Sequence, residues 1–258
     1  MNYSKYLKEV LTEPGIISSC YENFHNYSFG NQLLAYDQLT ARNLNLSPIA
    51  PYKKWQDLGR QVKKGEKALE LLQPVPVKEK DKSGKETGKV FTFFKPARKW
   101  FSYDQTEPIP GAEEYKPEVK IADWDAQTAL NNLLIVEEEY SLADGNCQGY
   151  AREGFIAVNP VAEYPHKTRF HEIAHNVLGH TAEGRLQDDE RTAKNIKEVE
   201  AESTAYILCQ LLGLPGAEES KGYVQHWLQS DEITDKSAQK IFAAVDKILK
   251  AGQKEIAS

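Results

Sequence analysis

Thr168-Arg-Phe-His-Glu-Ile-Ala-His-Asn-Val-Leu-Gly179 is the stretch on which the reading of this chain turns. Phe170, Ile173, Ala174, Val177 and Leu178 recur at helical spacing, with Pro165 ahead as a helix start and Gly179 behind as a C-cap. On that helix His171 and His175 stand one turn apart on one face, so both imidazoles can reach a single ion. Glu172 lies on the flank of that face, within reach of a water held by the same ion. Two neutral nitrogen donors suit Zn2+, and a catalytic site keeps its last position for water. Such an ion lowers the pKa of that water to about 7, and Glu172 then serves as general base. The pentapeptide is short enough to arise by chance on an ordinary helix with core-facing histidines, so its context has to supply a third ligand.

A second helix is expected from about Thr192 to Leu212, and it carries Glu198, Glu200 and Glu202. Glu198 and Glu202 are one turn apart and share a face, whereas Glu200 points elsewhere. Ala201, Ala205, Leu208 and Leu212 continue a stripe at helical spacing, which argues for burial against the alternative of a solvated acidic face. Buried carboxylates need partners, and a metal is one. Glu198 is expected as the third ligand, with Glu202 behind it orienting a ligand histidine through its free N–H. His180 is the competing ligand. It comes nine residues after His171, where the metzincin pattern requires ten, and on a continued helix it would face away from His171. It is expected as a loop residue behind the ligands.

The 258 residues suffice for one large or two modest domains. No apolar run approaches the ~20 residues of a membrane-spanning helix, and the amphipathic start Met-Asn-Tyr-Ser-Lys-Tyr-Leu-Lys-Glu-Val lacks the apolar core of a signal peptide. Cys20, Cys147 and Cys209 are far apart and odd in number, which points to reduced thiols and a cytoplasmic location. The net charge of −6 conceals an asymmetry: residues 53–99 hold 14 basic against 6 acidic side chains, while 121–258 hold 13 against 23. These are two differently charged halves.

Their organisation differs as well. Helical patterns at 2–12, 16–26 and 28–43 precede strands at 68–77, 90–94 and 99–103. Residues rich in proline and glycine near 105–120 read as a linker. Beyond it come a helix near 125–135, short strands near 133–140 and 147–158, and further helices. In the basic block, Lys63, Lys64, Lys67, Lys95, Arg98 and Lys99 are interleaved with aromatic residues including Trp55, Phe91, Phe93, Phe94, Trp100 and Phe101. Cations that track phosphates, together with rings on which bases stack, are the ingredients of single-stranded DNA binding. Alternate aromatics in a strand also serve as core, so half of Phe91, Phe93, Trp100 and Phe101 are expected to face inward, and the lysines of 78–89 fit a solvated hairpin tip equally well. Trp55 and Phe94 are the aromatic residues expected to face outward.

Several segments resemble one family. Tyr27-Ser-Phe-Gly-Asn-Gln-Leu-Leu34, Trp55 with Gly59, Val62-Lys-Lys-Gly-Glu-Lys67 and Trp100-Phe-Ser-Tyr-Asp-Gln-Thr106 are similar to the N-terminal domain of ArdC-type antirestriction proteins. His171-Glu-Ile-Ala-His175, Gly179-His180 followed by Arg185-Leu186, Glu198-Val-Glu-Ala-Glu202 and Gly222-Tyr-Val-Gln-His-Trp-Leu228 extend the resemblance over nearly the whole chain. The stretch between His180 and Arg185 is longer than the family's usual spacing. The Glu-x-Glu-Ala element is also similar to that of ImmA/IrrE metallopeptidases, whose first glutamate is the expected ligand. The resemblance implies an N-terminal single-stranded-DNA-binding domain ahead of a zinc metallopeptidase domain, acting to protect the incoming DNA of a mobile element.

The expected fold is α+β in two domains. Residues 1–105 form a DNA-binding domain of helices and a small antiparallel sheet, 106–122 a linker, and 123–258 a gluzincin-like helical domain with a small sheet. His171, His175 and Glu198 would bind Zn2+, Glu172 would be general base and then acid, and Glu202 and His180 would lie behind the ligands. The strand 154–158 would hold an extended peptide substrate, and Tyr223 or His226 would stabilise an oxyanion. Two other readings differ in class: a DNA-coating protein whose zinc is structural, and a regulatory peptidase that cleaves a repressor.

Overall fold

The computed structural model describes residues 2–80, 84–117, 121, 123–141, 147–182, 194–220, 222, 224 and 233–254. Arg185, Leu186, Tyr223 and His226 lie outside them. The chain forms two compact units, Glu22–Val119 and a second made of Met1–Tyr21 with Lys120–Ser258. This differs from the division at 105 and 123 expected above. Helix α1 (Tyr3–Thr12) buries Leu7, Val10 and Leu11 and packs on the C-terminal helix Asp235–Gly252, so it belongs to the second unit. An amphipathic face records that a helix is buried and says nothing of what covers it. Both units mix helices with small, largely antiparallel sheets, as expected of an α+β protein.

Helix α2 (Ile16–Phe24) spans the boundary at Tyr21/Glu22, and the first unit continues through α3 (Phe29–Ala41), β1 (Ile49–Pro51), α4 (Tyr52–Asp57) and β2 (Arg60–Val62). The long hairpin β3 (Leu69–Lys80) and β4 (Glu86–Ser102) follows, and a 3-10 turn leads to β5 (Thr106–Pro108). The sheet runs β1-β4-β3, and β2 pairs with β5. The two expected strands 90–94 and 99–103 are one strand, because β3 pairs with β4 continuously except for irregularities at Leu69/Glu70 and Lys78/Lys80. β5 lies in the expected linker. Three residues bounded by prolines carry too little periodicity to announce it.

The outer edge of β3 explains its sequence. Asn31 on α3 bonds both the N–H and C=O of Leu72, and Gln38 two helical turns on does the same for Glu70. Residues 70, 72, 74 and 76 therefore turn their backbone groups away from β4. Pro74 and Pro76 fall at two of these positions, where the missing N–H costs no ladder bond and leaves a stray strand no donor to pair with.

Trp55 is the largest side chain in this unit's core and is only 1% exposed. Its indole Nε1 donates to the Phe101 carbonyl at 2.9 Å, and its ring lies edge-on to Tyr115 at 6.1 Å. Its expected role as a base-stacking platform is therefore corrected: the apolar interior outcompeted the nucleic-acid surface for this ring.

In the second unit, α5 (Ala126–Leu133) precedes β6 (Val136–Glu137), β7 (Gly149–Arg152) and β8 (Phe155–Val158). Helices α6 (Pro165–Val177) and α7 (Lys194–Leu211) follow. The strand order is β6-β8-β7. α6 packs on β7 and β8 with one side and along α7 with the other, while the C-terminal helix covers α5 and α7. Trp124 locks this layer, edge-on to Phe170 of α6 at 4.9 Å and donating to the Ile248 carbonyl. Among the described residues no helix is long and apolar enough to cross a membrane.

Trp55→Ala should cost about 3–5 kcal/mol of stability, the range for deleting a buried aromatic. Chemical denaturation measures it. A loss below about 1 kcal/mol would show that the ring is not part of the core.

Candidate functional site

Helix α6 begins at Pro165, whose missing N–H costs nothing at a helix start, and its first turn brings Lys167, His171 and His175 into one row of i, i+4, i+8 positions. α7 lies against this row. His171 Nε2 and His175 Nε2 are 3.0 Å apart, and Glu198 Oε2 stands 3.3 Å from the first and 3.7 Å from the second. These three donors are the group among the described residues that could hold a metal ion. Tetrahedral zinc bonds of about 2.0–2.2 Å place neighbouring ligand atoms about 3.3 Å apart. The triangle is thus cation-sized, and two imidazoles with one carboxylate are a zincin's donor set.

Each histidine of the triangle is held from behind. Glu202 Oε2 sits 2.8 Å from His171 Nδ1, and Lys167 fixes the other Glu202 oxygen at 2.9 Å. His175 Nδ1 faces His180 Nδ1 at 3.1 Å, and His180 Nε2 meets Glu200 Oε2 at 2.9 Å. Ser237, on the C-terminal helix, donates to Glu200 Oε1. Were an ion held at the two Nε2 atoms, His175 Nδ1–H would donate to His180 Nδ1, and His180 Nε2–H to Glu200.

Gly179 makes this relay reachable. With φ +76 it ends α6 in a left-handed turn, and Gly179 N bonds Asn176 O while His180 N bonds His175 O. This is a Schellman closure. It swings His180 back beneath His175, where a continued helix would have carried it away. Glu200 is 1% exposed and faces away from the triangle, as expected, yet it anchors this chain of bonds. Lys167 and Glu200 were not singled out from the sequence. The Lys167-x3-His171-x3-His175 spacing was a readable signal for the first. Nothing local signals the second, because its partner arrives through a turn.

The electrostatics describe a site short of positive charge. Burial opposes a proton on His171, but the Glu198 and Glu202 carboxylates overturn that and raise its pKa to about 10. Hydrogen bonds from His171 and His175 hold Glu198 well below the usual carboxylate range. Burial penalises the Glu202 carboxylate, yet His171 and Lys167 bring its pKa down to about 2. Glu172 goes the other way. Burial pushes it up to about 7 against the pull of His171, with Glu198 and Glu202 adding to the rise. A carboxyl poised near neutrality beside the triangle suits a group that takes and returns a proton.

Glu172, His171, Glu202, Lys167, Thr168 and Gly149 line a cleft of about 630 Å³. A Cβ on Gly149 would stand 3.0 Å from Glu172 Oε1 and 2.7 Å from Thr168 Cγ2, so only glycine leaves the carboxylate its place. The strand expected to face a peptide, 154–158, is instead the central one, with β6 parallel on one side and β7 antiparallel on the other. β7 is the edge. Gln148 O accepts from Asn159 N, so by alternation Gly149 and Ala151 turn their backbone groups away from β8, where the Gly149 carbonyl accepts from Cys147 Sγ; of this strand Gly149 lines the cleft.

In the first unit the expected DNA-binding side chains divide. Lys63, Lys64, Lys67, Phe94, Lys95, Arg98 and Lys99 are exposed. Lys63 donates to the Asp104 carbonyl, Arg98 pairs with Glu70 at 2.7 Å and Lys99 donates to Gln73. Of Phe91, Phe93, Trp100 and Phe101, half of which were expected inside, Trp100 is buried and Phe101 half-buried, while Phe91 and Phe93 are 55% and 64% exposed.

Residues 9–101 match the family model described as the N-terminal domain of anti-restriction factor ArdC. Two solved structures of the antirestriction ArdC protein from plasmid R388 share the fold at low identity. The metal-free form is 21% identical with a TM-score of 0.52, covering 97% of this chain and 93% of that one. The Mn(II)-bound form is 20% identical with a TM-score of 0.56, covering 97% and 96%. No curated protein sequence matches the chain significantly.

Zinc titration against a chromophoric chelator tests the site. Glu198→Ala should weaken binding most, while Glu202→Ala and His180→Ala should each cost about 10–100-fold. Gly179→Ala strains the turn by about 1–2 kcal/mol and should weaken zinc in the same direction as His180→Ala. Because uptake displaces the His171 proton, affinity should rise about tenfold per pH unit near neutrality. If His180→Ala abolished binding while Glu198→Ala were mild, the ligand assignment would be reversed.

Proposed function

With an ArdC N-terminal domain at residues 9–101 and the ArdC fold over the chain as premises, we propose that this protein is an antirestriction factor with two activities. It binds single-stranded DNA through the unit 22–119 and hydrolyses peptide bonds at a divalent-metal centre in the other. The observation that carries the second activity is the triangle of 3.0, 3.3 and 3.7 Å with Glu172 beside it. A structural zinc site is closed by four protein ligands. This one has three and a general base.

His171, His175 and Glu198 hold the ion, and zinc suits them best. A solved protein of the same fold, from plasmid R388, carries Mn(II), and zinc outcompetes manganese for nitrogen donors. When bound, such an ion supplies Lewis acidity to a water and to the carbonyl under attack. The peptide lies extended in the cleft and pairs with the outward backbone groups of Gly149 and Ala151, as an added strand does. Glu172 removes the proton from the attacking water and delivers it to the departing amine, and its elevated pKa makes both steps accessible near neutral pH. Lys167–Glu202 and His180–Glu200 keep the two imidazoles from turning while this happens.

Glu172→Gln should retain metal, since Glu172 is not among the three donors, and lose hydrolysis of a fluorogenic peptide library by at least about a hundredfold. Equal cleavage by wild type and Glu172→Gln would remove Glu172 from the mechanism. Full metal occupancy without cleavage of any peptide, and without self-cleavage, would leave DNA binding as the only activity.

A further inference from the structure

Beyond the base of the hairpin, β3 and β4 form a two-stranded ribbon that no other described strand or helix covers. Residues 84–96 are all exposed, and so are Pro74, Pro76, Val77 and Lys78 opposite them. An isolated two-stranded ribbon is marginal in water. This one nonetheless presents Phe91, Phe93 and Phe94 at 55%, 64% and 57% exposure. Large aromatic rings left uncovered on an arm of this kind need an occupant.

The register sorts the ribbon into two faces. Phe91 stands opposite Val77, Phe93 opposite Val75 and Lys95 opposite Gln73, all on the face that continues inward to Ala97 and the buried Leu71. Along β4 this face reads Lys89, Phe91, Phe93, Lys95 at every second residue. The other face carries Phe94 opposite Pro74, Thr92 opposite Pro76, and the Lys78–Glu86 and Arg98–Glu70 pairs. Its cations are already engaged.

We propose that the face Lys89, Phe91, Phe93 and Lys95 is the platform on which a single strand of DNA lies, two bases stacking on the two phenylalanines and flanking phosphates meeting the two lysines. This rests on the reading of the unit as DNA-binding and names the surface that performs it. Rings two residues apart in a strand are separated by about 6.7 Å, so successive unstacked bases of an extended strand can each meet one. Charge chooses the occupant: the block 53–99 carries net +8. The acid on this face, Glu79, sits at the tip and accepts from Thr87. A second copy of the ribbon would bring like charge against like charge. Pro74 and Pro76 also deny it the β3 edge. Duplex DNA offers no free base faces to the rings.

The test uses the full chain and a fluorescein-labelled oligothymidylate read by anisotropy. Both rings are exposed, so Phe91→Ala and Phe93→Ala should leave the fold intact, as circular dichroism checks. Each should weaken binding by at least about fivefold, whereas Phe94→Ala on the other face should change it less than twofold. Phe93→Trp should restore affinity and show indole fluorescence quenched by the bound strand. Replacing Lys89 and Lys95 with Ala should flatten the salt dependence by about 0.7 per lysine. If the chain binds the oligomer and the Phe91→Ala/Phe93→Ala double variant binds as tightly, or if Phe94→Ala is the damaging change, the platform is wrong while DNA binding stands. If the double variant alters only the sedimentation coefficient, the face is a protein contact and the proposal is overturned. A wild-type chain that binds no single strand at low salt would instead remove the reading beneath it.

Discussion

The packing of α6 along α7 governs the C-terminal unit. It presses the His171 and His175 imidazoles of one helix against the Glu198 and Glu202 carboxylates of the other, at distances where the charges cannot be left unbalanced. The rise of His171 to about 10 is the measure of that imbalance. A cation between Nε2, Nε2 and Oε2 would relieve it, and Lys167 already relieves part of it at Glu202. The remaining features of the site follow. Gly179 must turn the chain back so that His175 has a partner, and Gly149 must lack a side chain so that Glu172 can lie against the row. The C-terminal helix must also stay docked for Ser237 to reach Glu200. Metal affinity is therefore expected to depend on the docking of a helix that contributes no ligand.

The first unit solves a different problem. Its core is an ordinary apolar one around Trp55, Phe24, Phe29 and Leu71. Asn31 and Gln38 stand in for a missing strand at the base of β3, and proline takes over further out. These devices protect an edge while leaving both faces open, which is the arrangement of an arm that binds through side chains. Functionally the units are complementary in charge, basic where DNA would lie and acidic around the metal centre.

Much of the candidate site's geometry was legible in the sequence because helical spacing fixes it. His171 and His175 one turn apart, and Glu198 and Glu202 one turn apart, needed only that the two helices face each other. His180 and Glu200 were half legible. Their exclusion from the ligand triangle followed from register, but their bond to each other depends on a left-handed turn that periodicity does not encode. The edge strand was misassigned because 149–152 and 154–158 are equally short, and only pairing decides which lies in the middle. Trp55 was misread because composition cannot separate an aromatic that stacks on bases from one that fills a core. Phe91 and Phe93, in the same basic block, are exposed instead. The short strands β1, β2 and β5 left no pattern to read.

The most direct measurement is anomalous diffraction at the zinc edge from crystals of the full chain grown with zinc. One peak is expected about 2.0–2.2 Å from His171 Nε2, His175 Nε2 and a Glu198 oxygen, with the Glu202–His171 and His180–His175 bonds retained behind it. A peak bonded to His180 or Glu200, or no peak within reach of His171 and His175, would contradict the account.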